Sequence, residues 1–229
     1  MWLEGSGVIN LGKRDVFVDL CIQREYLTNG ANRRCPNAEQ IILNVKHIMA
    51  FARLAKVPVV SCVDVNSANR IGAEYVSIIS RDAPHEQKAA FSLLPQHIVV
   101  QSDNSLCVPL DVLHQYQQAI FTKVHRDPFT NPKLDRLLTE MAVRRFVVFG
   151  IPIETSLRIL VLGLIRRKRR VVLLKDTCGY WNRQEAEMVL RQLRVKGCEL
   201  LTANEYLSRS LVRIARQLRL RIRASRSVA

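Results

Sequence analysis

The sequence predicts an α/β protein, a three-layer α/β/α sandwich built on a mainly parallel sheet of about six strands. Three observations carry this prediction. Apolar runs of strand length alternate with longer stretches of helical period, an order that builds a parallel sheet with helices on both faces. Several runs are apolar throughout, as strands covered on both sides are. The chain has 229 residues and is 48% hydrophobic, enough core for one large domain or one domain plus a tail. A charged content of 24% is ordinary for a globular protein and argues against global disorder.

Each element has its own justification. Val16-Phe17-Val18-Asp19-Leu20 reads as a buried strand. From Ala38 to Ala55 the apolar residues Ile41, Ile42, Val45, Ile48, Met49 and Ala52 recur at helical spacing. Pro36 marks the start of that helix, and Asn37 is its expected N-cap. Residues 57–63 read as the second strand, with Pro58 near its beginning, where a strand tolerates proline. Residues 64–114 are polar and irregular, with Pro84, Pro95 and Pro109, and long excursions of this kind are often functional. Gln118 to Lys123 is a short strand, and Asn131 to Met141 a helix with Pro132 in its first turn. Arg145 to Gly150 is a strand ending in glycine, followed by a helix from Glu154 to Ile165. Val171 to Leu174, Gln184 to Lys196 and Cys198 to Leu201 complete the alternation as strand, helix and strand, and the chain is helical again from Ala203. In such sheets ligands bind at the carboxyl ends of the strands, which directs attention to Asp19, Lys123 and the turn after Gly150.

The formal net charge is +15 and the pI about 10.1, so the chain attracts polyanions, with nucleic acid and anionic membrane as the generic partners. The excess sits late, in Arg166-Arg167-Lys168-Arg169-Arg170 and in the arginines from Arg209 to Arg226. The first of these lies at a helix-to-strand junction, where cations complement the helix C-terminus. In the second, Arg213, Arg216, Arg219, Arg221, Arg223 and Arg226 alternate with aliphatic residues. Its early part has helical period, and Arg219-Leu220-Arg221-Ile222-Arg223 reads as non-helical. No aromatic residue interleaves these arginines, so stacking on single-stranded bases has no platform.

Six scattered cysteines, Cys21, Cys35, Cys62, Cys107, Cys178 and Cys198, show no Cys-x-x-Cys pair, and the expectation is reduced, buried thiols. No basic start followed by an apolar run marks a secretory signal. The longest apolar stretch, residues 157–165, is broken by Arg158 and is too short to span a bilayer. These features point to a cytoplasmic protein.

Four segments then carry a resemblance. They are Val16-Phe17-Val18-Asp19 followed by Gln23-Arg24-Glu25-Tyr26-Leu27; Phe121-Thr122-Lys123 with Phe129-Thr130-Asn131-Pro132 and the helix after it; residues 146–157 around Gly150-Ile151-Pro152-Ile153-Glu154-Thr155-Ser156; and residues 171–179. In this order and spacing they resemble the isochorismatase-like superfamily of cysteine hydrolases, which includes nicotinamidases and related amide hydrolases. The resemblance runs from about residue 14 to residue 207, leaving residues 208–229 as a basic C-terminal extension. The first segment departs from the family's Asp-x-Gln pattern, with two extra residues before the glutamine.

The resemblance implies a triad of aspartate, lysine and cysteine, which falls on Asp19, Lys123 and Ser156. A lysine beside a thiol favours thiolate, and an aspartate at a strand end can move the proton. Serine is far less acidic and needs a true general base. The nucleophile turn comprises Gly150, Ile151, Pro152 and Thr155. The family's cis bond would fall on Ile151–Pro152, and Pro152 has no N–H to give an oxyanion hole. Loss of one such donor costs roughly 100- to 1000-fold in rate. Ile153 also replaces the family's threonine. The expectation is therefore an amide or C–N bond hydrolase of small molecules whose activity is weak or lost. The alternative is a non-catalytic protein that binds a small amide-like ligand or uses its basic surface for interaction.

No cofactor is expected. Zinc-binding relatives carry a histidine beside the aspartate after the second strand, whereas Asp64 is followed by Val65-Asn66-Ser67, and His85, His97, His114 and His125 have no ligand spacing. Family members often form dimers or tetramers, and a homo-oligomer is expected here by resemblance alone.

Overall fold

The computed structural model describes residues 15–31, 33–65, 87–100 and 107–226, with side chains described through residue 216. Seven strands form one parallel sheet: β1 (Asp15–Leu20), β2 (Val59–Asp64), β3 (His97–Val100), β4 (Gln118–Lys123), β5 (Arg145–Gly150), β6 (Val171–Cys178) and β7 (Glu199–Leu201). Their order is β3-β4-β2-β1-β5-β6-β7, and every pairing is parallel. The central strands are buried along almost their whole length, which explains why they read as continuous apolar runs rather than alternating ones.

The helices are α1 (Arg24–Leu27), α2 (Ala38–Ala55), α3 (Val112–Gln115), α4 (Pro132–Glu140), α5 (Arg158–Arg166), α6 (Arg183–Val195) and α7 (Ala203–Arg226). Helix α2 buries Ile41, Val45, Ile48, Met49 and Ala52, the stripe its spacing predicts. Asn131 caps α4 by accepting the Lys133 and Leu134 amides, and Pro132 follows it in the first turn. Asn182 caps α6 in the same manner. Asn37 does not cap α2. Its side chain instead donates to the Cys178 carbonyl at 2.9 Å, fastening the start of the helix to the end of β6.

Several expectations are corrected. The sheet has a seventh strand, β3, inside the stretch that reads as irregular. It has four residues, of which only Val99 is fully buried, so periodicity could not reveal it. Strand β6 runs on to Cys178, past the apolar run, through Lys175 and Asp176. The last helix is continuous from Ala203 to Arg226, so Arg219–Arg223 is helical. Leu207, Leu211, Ile214, Leu218 and Ile222 recur three and four residues apart, a helical period that the local Arg/aliphatic alternation masks. Pro84 and His85 lie outside the described residues. No helix among the described residues is long and apolar enough to cross a membrane.

Strand β1 lies at the centre, with β2 on one side and β5 on the other. The chain builds outward first through β2 and then through β5, so the switch in strand order is at β1, where an open parallel sheet leaves its ligand crevice. Close approach there depends on Gly150. Its φ is +140°, and a Cβ on it would stand 2.1 Å from the Leu20 carbonyl oxygen.

Candidate active site

A pocket of about 450 Å3 opens at the carboxyl ends of the strands. Lys123 and His125 reach it from the end of β4, Asp64 from the end of β2, and Pro152, Glu154, Thr155 and Ser156 from the turn after β5. Tyr26 and Trp181 close one side, with their rings packed edge to face at 5.7 Å.

Two of the three expected catalytic residues, Lys123 and Ser156, line this pocket. Asp19 does not. It is fully buried beneath, where Lys88 Nζ lies 2.5 Å from Oδ1 and the Ser61 hydroxyl donates to Oδ2 at 2.5 Å. Gln118 extends the network by donating to Ser61 Oγ and to the Ser92 carbonyl while accepting the Leu94 amide. A buried charge needs a partner, and Asp19 has its own.

Lys123 also has a different partner. Its Nζ donates to Asp64 Oδ1 in a close ion pair and to the His125 carbonyl at 3.3 Å. Asp64 is held on every side. Tyr26 Oη donates to its Oδ2 at 2.9 Å, Cys21 Sγ donates to the same oxygen at 3.3 Å, and its backbone exchanges two hydrogen bonds with the Gln23 amide. Burial disfavours the Lys123 ammonium, but Cys21 and Asp64 beside it outweigh that, and its pKa lies above the ordinary lysine value. Burial likewise raises the Tyr26 and Cys21 pKa values, and Asp64 adds to both shifts.

Asp64, which lines the pocket, and the buried Cys21 and Lys88, which hold Asp64 and Asp19, are the residues that sequence reasoning missed. A signal for Cys21 was present. Counting back from Gln23, rather than forward from the strand, puts Cys21 on the aspartate of the Asp-x-Gln pattern. The structure places Cys21 just past β1, with a left-handed φ of 54°, and brings it and Lys123 onto the same Asp64 carboxylate.

In the nucleophile turn the Ile151–Pro152 bond is cis. The backbone donors of its first three residues after Gly150 are occupied or missing. The Ile151 amide donates to the Leu20 carbonyl at 2.9 Å, Pro152 has no N–H, and the Ile153 amide donates to the Gly179 carbonyl at 2.9 Å. A π-helical turn, Ile153–Leu157, follows and carries Glu154, Thr155 and Ser156 into the pocket wall. Ser156 is only 3% exposed. Glu154 Oε1 accepts the Trp181 and Asn182 amides at 2.7 and 2.9 Å, while its buried Oε2 has no hydrogen-bond partner among the described residues.

Among the described residues the arrangement does not fit a metal ion. Asp64 is already engaged by Lys123, Tyr26 and Cys21, and among the described residues no three His, Cys, Asp or Glu side chains gather in a group able to hold one.

A parallel sheet switching at β1, with a lysine, a helix-head serine and a cis turn around one pocket, defines an isochorismatase-like hydrolase fold. The isochorismatase domain model matches residues 15–205, and the chain belongs to that family. Its structure is similar to an isochorismatase-like hydrolase from Alkaliphilus metalliredigens, with a TM-score of 0.64 and 16% identity over 85% of this chain and 98% of that one. It is similar also to a zinc-complexed pyrazinamidase from Pyrococcus horikoshii, with a TM-score of 0.57 and 16% identity over 82% of this chain and 98% of that one. A ribonuclease from Caenorhabditis elegans matches with a TM-score of 0.57 and 13% identity over 86% and 80%. At these identities the likeness is one of fold. A comparison with curated proteins finds no match.

Proposed function

We propose that this chain binds a small amide-like ligand in the pocket and has little or no C–N hydrolase activity. The observation that carries the proposal is the burial of Asp19 on Lys88 and Ser61, which removes the aspartate base that the resemblance implies for Ser156. A serine hydroxyl must lose its proton as it attacks, and a neighbouring lysine does not ionise it. Lys123 is no substitute, because its ammonium is engaged in the ion pair with Asp64. The amides at the start of the turn are spent on Leu20 and Gly179, so the oxyanion support of an acyl-transfer site is weakened as well.

Binding needs none of these groups. The pocket is lined by Glu154, Thr155 and Ser156 together with Tyr26 and Trp181. A few polar groups on an aromatic wall suit a small planar ligand. Trp181 supplies the assay. Titrating nicotinamide and benzamide should change the intrinsic fluorescence saturably, and Trp181→Phe should abolish the change. No saturable change with either amide, with acetate and benzoate equally silent, would refute the binding reading.

A further inference from the structure

The opposite, amino-terminal edge of the sheet holds a second concavity, of about 390 Å3, lined among others by Arg144, Arg145, Arg170, Gly197 and Glu199. Helix α7 brings two more arginines to the same groups. Arg209 Nη1 is 2.9 Å from Glu199 Oε1, and Arg213 Nη2 is 3.4 Å from Asp15 Oδ2. The acids are shared. Asp15 takes Arg144, Arg145 and Arg213, and Glu199 takes Arg145 and Arg209. With Arg170, five guanidiniums face two carboxylates, so three positive charges are left uncompensated among the described residues. Burial and the neighbouring Arg213 and Arg145 outweigh Asp15 and leave the Arg144 pKa below its ordinary value, a sign of crowded like charge.

We propose that this edge binds the phosphate backbone of double-stranded nucleic acid, without reading its sequence. The guanidinium fork matches phosphate oxygens in pairs, and Arg145 already holds Asp15 this way, through Nε at 3.1 Å and Nη2 at 3.2 Å. No aromatic residue lines the concavity, so single-stranded bases have nothing to stack on. Helix α7 has 24 residues, about 36 Å at 1.5 Å per residue, and carries Arg209, Arg213 and Arg216 with further arginines at 219, 221, 223 and 226. That length is about one turn of a duplex. Leu211 and Val212 are exposed on the same helix, which makes an anionic membrane the competing partner. A bilayer surface, however, does not fill a concave arginine site. This site is independent of the pocket at the other end of the sheet.

The test is binding of the full-length protein to a short mixed-sequence DNA duplex, followed by fluorescence anisotropy across a salt series. The logarithm of affinity should fall linearly with the logarithm of salt concentration, by about 0.9 for each phosphate neutralised. The double variant Arg170→Ala/Arg209→Ala changes two exposed side chains and should reduce that slope by about two, equally for different sequences. Arg170→Ala alone should give about half of that reduction. Arg183→Ala, on an exposed arginine at the start of α6, should change neither slope nor affinity. The proposal is overturned by no binding at low salt, by an unchanged slope in the double variant, or by an equal loss in Arg183→Ala. Binding to phosphatidylserine vesicles without binding to duplex would overturn it in favour of a membrane.

Discussion

Lys88 Nζ sits 2.5 Å from Asp19 Oδ1, and neither side chain is exposed to solvent. The pair joins the segment entering the first turn after residue 86 to the central strand, and the backbone reinforces it through the Ala89 amide, which donates to the Ile22 carbonyl at 2.9 Å. Removing one member strands the other charge in the core. Lys88→Met should therefore destabilise the protein by about 3–5 kcal/mol in denaturant unfolding. Asp19→Leu/Lys88→Met, which removes both charges, should recover most of that loss. A purely peripheral Lys88 would show neither effect.

Gly150 and Gly30 give a paired test of the β1–β5 contact. Both have positive φ, but a Cβ at Gly150 meets the Leu20 backbone at 2.1 Å, whereas one at Gly30 meets nothing within 4 Å. Gly30→Ala should cost about 1–2 kcal/mol, the price of the left-handed backbone alone. Gly150→Ala should cost more than about 4 kcal/mol or fail to yield soluble protein, because backbone atoms cannot yield as a flexible side chain can. Thermal melts of the two variants decide it.

Asp15 links stability to pH. Burial raises its pKa, but Arg145, Tyr206 and Arg144 outweigh burial and hold the carboxyl below its ordinary value of 3.8. A depressed folded-state pKa contributes stability that is present above the unfolded value and is lost as pH falls through the folded one. Asp15→Asn should therefore lower Tm clearly at neutral pH, and the gap to the parent protein should close as pH falls below the ordinary carboxylate value. A gap that persists unchanged in acid would contradict this assignment.

Five of the six cysteines are buried and Cys107 is exposed. Burial pushes the Cys35 thiol up to about 11 and those of Cys62 and Cys198 up to about 12, so none of these three is thiolate at neutral pH. A chromogenic disulfide reagent should titrate one thiol quickly in the native protein and all six after denaturation. Fast reaction of Cys21, located by peptide mapping, would mean that Lys123 activates it despite its burial.

Much of the fold was legible because the central strands and the α2 stripe are buried as their apolar patterns require. Helix α2 and strand β4 have the bounds that periodicity gives them. Strand β3 escaped because a four-residue strand in polar surroundings has no period to read. At the site, Lys123 and Ser156 were placed by their strand and turn, and both reach the pocket. Asp19 was placed by the end of an apolar run. The strand does end at Leu20 as its apolar run implies, but the two extra residues before Gln23 carry Cys21, not Asp19, to the Asp64 carboxylate that Lys123 holds. Partners such as Lys88 and Asp64 come together only through the sheet, 69 and 59 positions from Asp19 and Lys123 respectively, and no local pattern announces them.

In the proposed reading the family's pocket is kept while the aspartate base implied for Ser156 is lost to Lys88. The direct measurement is hydrolysis of a small amide panel, including nicotinamide, by the parent protein, Ser156→Ala, Ser156→Cys and Lys123→Ala. The account predicts that the parent protein, Ser156→Ala and Lys123→Ala are indistinguishable from background, and that Ser156→Cys alone gains little, since Asp19 and the spent turn amides are unchanged. Turnover by the parent protein that disappears in Ser156→Ala and Lys123→Ala would contradict it, and would mean that Ser156 finds its base in a form of the site other than this one.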